Sequence, residues 1–289
     1  MSTTVSWQDL RVLGALSPRS GVTGEIIAEP LHVSAPGVTV LRNRSGVYVL
    51  TRAPGFDSFV RAFAAQPADP RPGIEDAFTL TVSDPAGAWL PRTVRVVLPR
   101  DPTALPAAAR RAPGSLFCAL EVDLLPAATA SVGAWWSLLR IRVERVVDGR
   151  RLGVPGVLLR LRAAPDLAPH DGVADGAPAA NAPILGYGQS DQRGEALLAI
   201  AALPAQTFAN EVDNGRSIDD GDADEATVEA PVVTFDTPCV LEAVADPASA
   251  WPLDYSVLTS RFADPTLLRA ALSLPVRAGA RISRTITLT

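Results

Sequence analysis

The chain has 289 residues, 47% of them hydrophobic and 20% charged. That is enough apolar material for one large or two ordinary domains with buried cores, and too much for a disordered polymer. Its formal charge is −5 and all 26 basic residues are arginine. With no lysine, a Schiff base, a pyridoxal phosphate anchor and a P-loop are excluded, and an acidic chain without basic runs lacks the counterion-displacing face that a nucleic-acid partner requires.

The first ten residues, Met1–Leu10, lack the basic and apolar regions of a secretory signal, so synthesis and folding in the cytoplasm are expected. Residues 1–17 read as an N-terminal arm, with Trp7 a candidate anchor on a neighbouring subunit. A first β domain is expected over 18–100, from candidate strands at Val22–Ile27, Val38–Leu41, Gly46–Thr51, Phe78–Val82 and Val94–Leu98. The last two alternate apolar and polar residues with period two, which gives a strand one buried face. Residues 101–128, rich in Pro and Ala, read as a linker with a short helix near Ala104–Arg111 and a strand at Leu116–Val122.

A second β domain is expected over 129–289. Trp135 and Trp136 open it, and adjacent residues of a strand point to opposite faces, one to the core and one to solvent or a partner. Ile141 and Val143 alternate with Arg140, Arg142 and Glu144 until Arg145-Val146-Val147 breaks the phase, as a bulge or a strand end would. Further strands are read at Val157–Leu161, Ile184–Gln189, Glu195–Ile200, Val232–Phe235, Cys239–Ala245 and Arg281–Leu288. Loop insertions are read at 163–183 and 209–229. A C-terminal helix is expected from Asp264 as cap, with Leu267, Leu268, Ala271 and Leu272 as its stripe and Pro275 as its stop. The longest apolar stretch, Ala196–Ala205, contains Pro204 and is about half a membrane span, so none is expected.

One local pattern recurs three times, at Asn43–Gly46, Asp84–Gly87 and Asp191–Gly194. An Asn or Asp opens a type I turn by bonding the backbone ahead of it, and Gly four places on accepts positive φ, so all three read as hairpin turns. With 26 prolines and 21 glycines as punctuation, the fold class is all-β, two tandem sandwich-like domains of immunoglobulin or transthyretin type with one short C-terminal helix.

Chemistry is sparse. Gly188-Gln189-Ser190-Asp191-Gln192 approaches the serine-hydrolase elbow but lacks its second glycine and runs into a strand, so a hairpin is the better reading. His32 and His170 have no second ligand at metal spacing, and Cys118 and Cys239 read as small apolar residues. The acidic stretch 211–229 holds Asp219, Asp220, Asp222, Asp224 and Glu225. Its alternating carboxylates suit a hard cation, yet Glu225 stands where an EF-hand needs Gly and Pro231 where it needs Glu. A solvated acidic loop is the reading preferred over Ca²⁺, and docking on an arginine-rich partner surface is its other expected role. No cofactor, metal or catalytic residue is assigned.

Leu138–Arg162, with Asp148-Gly149 leading to Gly153-Val154-Pro155-Gly156-Val157, and Gly188–Ala196, with its Asp191 turn, resemble the carboxypeptidase regulatory-like, or transthyretin-like, β-sandwich domain. The resemblance spans about residues 135–245, and the long insert at Ala163–Pro183 departs from it. Such domains serve as folding, docking or spacing units, so it implies no activity. The tandem β modules together resemble accessory structural proteins of phage-tail-like and contractile injection particles. The expected function is therefore a non-enzymatic structural or assembly module whose partners are other protein subunits, with Trp7, Trp135, Trp136 and the Asp219–Glu225 loop as contacts. A carbohydrate or cell-surface binding module is the alternative, and a hydrolase using Ser190 or His170 the third.

Overall fold

The computed structural model describes residues 12–57, 76–101, 108, 111–133, 135–164, 172–173, 181–201, 203, 205–207, 232–234 and 236–289. The class is all-β with one short helix, as the alternating residues demand. In the N-terminal half, β1 (Gly14–Ser20), β3 (Thr39–Arg42), β4 (Tyr48–Arg52) and β7 (Leu120–Leu124) form a sheet of order β3-β4-β1-β7. A second sheet, β2-β5-β6, joins β2 (His32–Ser34), β5 (Asp76–Ser83) and β6 (Arg92–Leu98). Leu16 and Leu50 from the first sheet and Leu80, Val94 and Val96 from the second share one apolar core. β7 belongs to the stretch expected as a linker, yet it runs parallel to β1 from Leu16↔Leu120 to Ser20↔Leu124. The strand expected at Val22–Ile27 is instead a turn at 21–23 followed by a lone bridge, Arg19↔Ile26. Gly24 takes φ +74° there, so the chain reverses where a strand would extend.

The C-terminal half is a second sandwich. One sheet, β11-β17-β16-β10-β12, contains β10 (Leu158–Ala163), β11 (Gly172–Val173), β12 (Ile184–Gln189), β16 (Thr237–Ala245) and β17 (Leu268–Val276). The other, β13-β8-β18, contains β8 (Ser137–Val147), β13 (Glu195–Ile200) and β18 (Arg281–Leu288), with β9 (Arg150–Gly153) paired to the far end of β8. A separate pair joins β14 (Ala205–Thr207) to β15 (Val232–Thr234). Leu139, Ile141 and Val143 of β8 meet Leu159, Leu161, Leu241 and Leu274 across the interior while Arg140 and Arg142 face out. β10 is buried on both faces, because α1 (Tyr255–Ser260) and the turns after it cover its outer side with Leu258, Phe262 and Leu267 packed on Leu158. Arg160 on that side is stacked 3.5 Å from the Phe262 ring centroid and paired with Glu242 at 2.9 Å.

The expected C-terminal helix is corrected. The helix lies at Tyr255–Ser260, capped by Asp254 accepting from Ser256 N at 3.0 Å, and residues 268–276 form β17. Leu268, Ala270, Leu272, Leu274 and Val276 face the core with period two, and nine residues pair with β16. Pro275 stops nothing: it sits opposite Pro238, a pair with no N–H to offer, so the ladder bonds fall on neighbouring pairs. Asp264 caps the preceding turn instead, accepting from Thr266 N and Thr266 Oγ1. Of the two readings of Arg145-Val146-Val147 the strand end holds, with no bulge on β8. The strand continues to Val147 and turns back through Asp148 and Gly149, both at positive φ, as a two-residue hairpin requires. The pattern breaks because this part of the ribbon has left the core, and residues 145–152 are exposed on both faces. The helix expected near Ala104–Arg111 lies mostly outside the described residues.

The three repeated turns all form, two of them as the expected hairpins. Asn43, Asp84 and Asp191 each accept two or more backbone N–H bonds from the residues ahead, and Gly46, Gly87 and Gly194 adopt φ of +80°, +73° and +79°. The first two close hairpins within a sheet. The third passes the chain from one sheet of the C-terminal sandwich to the other, with a single bridge at Ser190↔Ala196.

Candidate functional site

Ser190 is fully buried, and its hydroxyl is spent on structure: Oγ accepts from Val157 N at 2.8 Å and donates to Val154 O at 2.7 Å. It therefore pins the Gly153–Val157 segment to the Asp191 turn and is withdrawn from the nucleophile role. His32 is exposed at the start of β2, and His170 lies outside the described residues. The two motif segments that carry the family resemblance are thus in direct contact. Gly156 N also bonds Ser190 O and Ser190 N bonds Val157 O, each at 3.0 Å.

Cys118 is half-buried in the turns before β7 and Cys239 is buried in β16. Burial pushes the Cys239 thiol up to about 12, and the thiolate is the reactive form. Native protein at pH 8 should leave Cys239 unalkylated by iodoacetamide and label it fully once unfolded in denaturant. Mass spectrometry showing rapid native labelling of Cys239 would contradict its packing.

A groove of about 270 Å³ lies where the two halves meet, walled by Trp89 and Trp136 with Thr23, Glu25, Ile26 and Glu29 along its floor and rim. The turn after β1 builds one side. Ser20 Oγ accepts from Val22 N and Thr23 N, Ser20 N bonds Glu25 O at 2.8 Å, and Ile27 N bonds Pro18 O at 3.0 Å. Asp84 sets Trp89, accepting its backbone N–H at 3.1 Å, while Leu90 N bonds Leu125 O at 2.9 Å. Trp136 lies over Gly133, where a Cβ would come within 2.8 Å of the indole nitrogen, and packs on Ala130, Leu138, Leu197 and Ala199.

The groove is acidic as well as aromatic. Arg19 is held by Glu121 at 2.8 Å and by Gly24 O, and Arg42 donates to Ala28 O. Among the described residues, neither Glu25 nor Glu29 has a basic partner. Trp135, beside the groove in sequence, is 89% exposed, and the pair lies in the turn before β8 and not in the strand that was expected to divide it. Trp7 and Asp219, Asp220, Asp222, Asp224 and Glu225 lie outside the described residues.

At the opposite end of β8, the β8–β9 hairpin carries exposed Val146, Val147 and Leu152 with exposed Arg145, Arg150 and Arg151. The larger hollow, about 570 Å³ on the outer face of β13-β8-β18, is lined by Arg140, Arg142 and Glu195 with Ser283 and Thr285. Its strand-borne cations are already engaged, Arg140 with Ala128 O and Arg142 with Glu144. Among the described residues, no three His, Cys, Asp or Glu side chains converge as metal ligands, and no helix is long and apolar enough to cross a membrane. The groove and the hairpin were not legible as sites, although Asp148-Gly149 was a readable hairpin signal.

No protein-family model and no curated protein matches the chain. A solved structure, a minor pilin of Streptococcus agalactiae, is similar at 7% sequence identity and a TM-score of 0.24, over 86% of this chain and 66% of that one. At that score the likeness carries no assignment of family or role.

Proposed function

We propose that this chain is a non-enzymatic structural subunit that works by burying apolar surface against other protein subunits. The observation that carries the reading is the pair of apolar surfaces left in solvent at the two ends of β8, Trp135 at one and Val146, Val147 and Leu152 at the other. Exposed apolar groups rimmed by charge mark protein contacts, with the charges setting partner choice. The withdrawal of Ser190 into the backbone scaffold supports it. The assembly we propose is a phage-tail-like or contractile injection particle, on the resemblance of the tandem β modules to accessory proteins of such particles.

A second reading, carbohydrate binding, has one observation in its favour: Trp89 and Trp136 face a common groove with carboxylates at hand for sugar hydroxyls. Size-exclusion chromatography of the chain in lysate, against the purified chain, tests the first reading. Elution in lysate well above the monomer position is expected, and a monomeric profile in both overturns it. A glycan array with reproducible signal would favour the second.

A further inference from the structure

We infer that the β8–β9 hairpin of one copy of this chain seats in the Trp89–Trp136 groove of the next, a head-to-tail contact. It rests on the assembly reading and names the partner as a second copy. The two surfaces are chemically reciprocal. One face of the hairpin offers Val147 and Leu152, 39% and 51% exposed, together with Arg145 and Arg150, for which no ionic partner is seen among the described residues. The groove offers two indoles, Ile26 at 46% exposure, and the carboxylates of Glu25 and Glu29, which have no basic partner among the described residues. A guanidinium both stacks on an indole face and pairs with a carboxylate, so one arginine-bearing tip answers both features.

Size and placement agree. A hollow of about 270 Å³ is small for a drug-sized ligand and suited to a few side chains. The tip of a two-stranded ribbon that reaches past the core, exposed over residues 145–152, gains from being covered. Trp136 precedes β8 and Val147 ends it, eleven residues along one strand, about 36 Å at the strand rise. One copy therefore cannot satisfy its own groove. The surfaces also differ, so the contact is heterologous and propagates into a ring or a filament.

The test uses the full chain and two charge-reversed variants, Glu25→Arg with Glu29→Arg in the groove and Arg145→Glu with Arg150→Glu in the hairpin. In sedimentation velocity, the parent should gain mass with concentration and lose it with added salt. Each variant alone should associate roughly tenfold more weakly or worse. Mixed one to one, the variants should recover assembly, because reversed groove meets reversed hairpin and native groove meets native hairpin in alternation. Three results overturn the inference: a parent monomeric throughout, variants that self-associate like the parent, or a mixture that stays monomeric. A methyl glycoside that quenches tryptophan fluorescence in a persistently monomeric parent gives the groove to a sugar instead. A parent monomeric when pure but large in lysate sinks the head-to-tail contact while leaving the assembly reading in place.

Discussion

Gly194→Ala should lower the thermal midpoint of the chain sharply, on the order of 3 kcal/mol or more of stability. Two costs combine at this position. Gly194 has φ +79°, where an L side chain is strained by about 1–2 kcal/mol. Its new Cβ would also lie 2.5 Å from Val143 O and 2.8 Å from Gly153 Cα and Val154 N, all backbone atoms with no rotamer by which to yield. The reciprocal contact is tighter still, for a Cβ on Gly153 would meet Arg193 O at 2.0 Å. The Asp191 turn and the Gly153–Gly156 segment thus lie backbone to backbone, joined directly by the Ser190 bonds and bridged through Val143 of β8, whose N–H donates to Gly194 O at 2.7 Å and whose carbonyl accepts from Val154 N at 3.0 Å. Gly279→Ala is the control. Its φ of +72° is similar, but no atom lies within 4 Å of the added carbon, so it should cost only the backbone strain. Differential scanning calorimetry of both variants decides the matter: equal shifts would mean that the close approach is not what requires glycine.

The second large effect is expected at Arg92, which joins the two halves. Its Nη2 reaches Asp254 Oδ1 at 2.8 Å and Nη1 reaches Asp123 O at 2.6 Å. Its guanidinium also lies 4.3 Å from the Tyr255 ring centroid. The pair is largely dry, with side chains 10% and 21% exposed. Removing one member of such a pair strands the other and costs about 3 kcal/mol, the low end of the range because Asp254 keeps some solvent. Asp254→Ala should cost about 1 kcal/mol more than the pair alone, since the same oxygen caps α1 through Ser256 N. A double-mutant cycle on Arg92→Ala and Asp254→Ala, read by denaturant unfolding, should return a coupling of about 1–3 kcal/mol. Additive costs would show that the two residues act separately.

The strands with the sharpest local punctuation were the most legible. β12 and β13 match their expected bounds residue for residue, because Ser190-Asp191 and Gly194 stop and restart the chain chemically. β17 was not legible, since Leu, Arg and Ala suit a helix and only the nine-residue partnership with β16 overrides that preference. Ser190 resembled a nucleophile by its neighbours in sequence, and only Val154 and Val157, more than thirty residues earlier, reveal its structural use. The groove is hidden for the same reason of distance. Trp89 and Trp136 stand far apart along the chain and far from Glu25 and Glu29, and no periodicity links them. Tandem β modules could be inferred from alternation, whereas surfaces assembled from three separate segments could not.

The parallel partnership of β1 with β7 orders events during synthesis. One flank of β1 acquires β4 within a few dozen residues, but the other stays bare until Leu120–Leu124 has left the ribosome. Closing so long a loop is entropically slow, and a naked edge on a nascent domain invites pairing with the wrong strand. The N-terminal module therefore matures late, at about the time the first residues of its successor emerge.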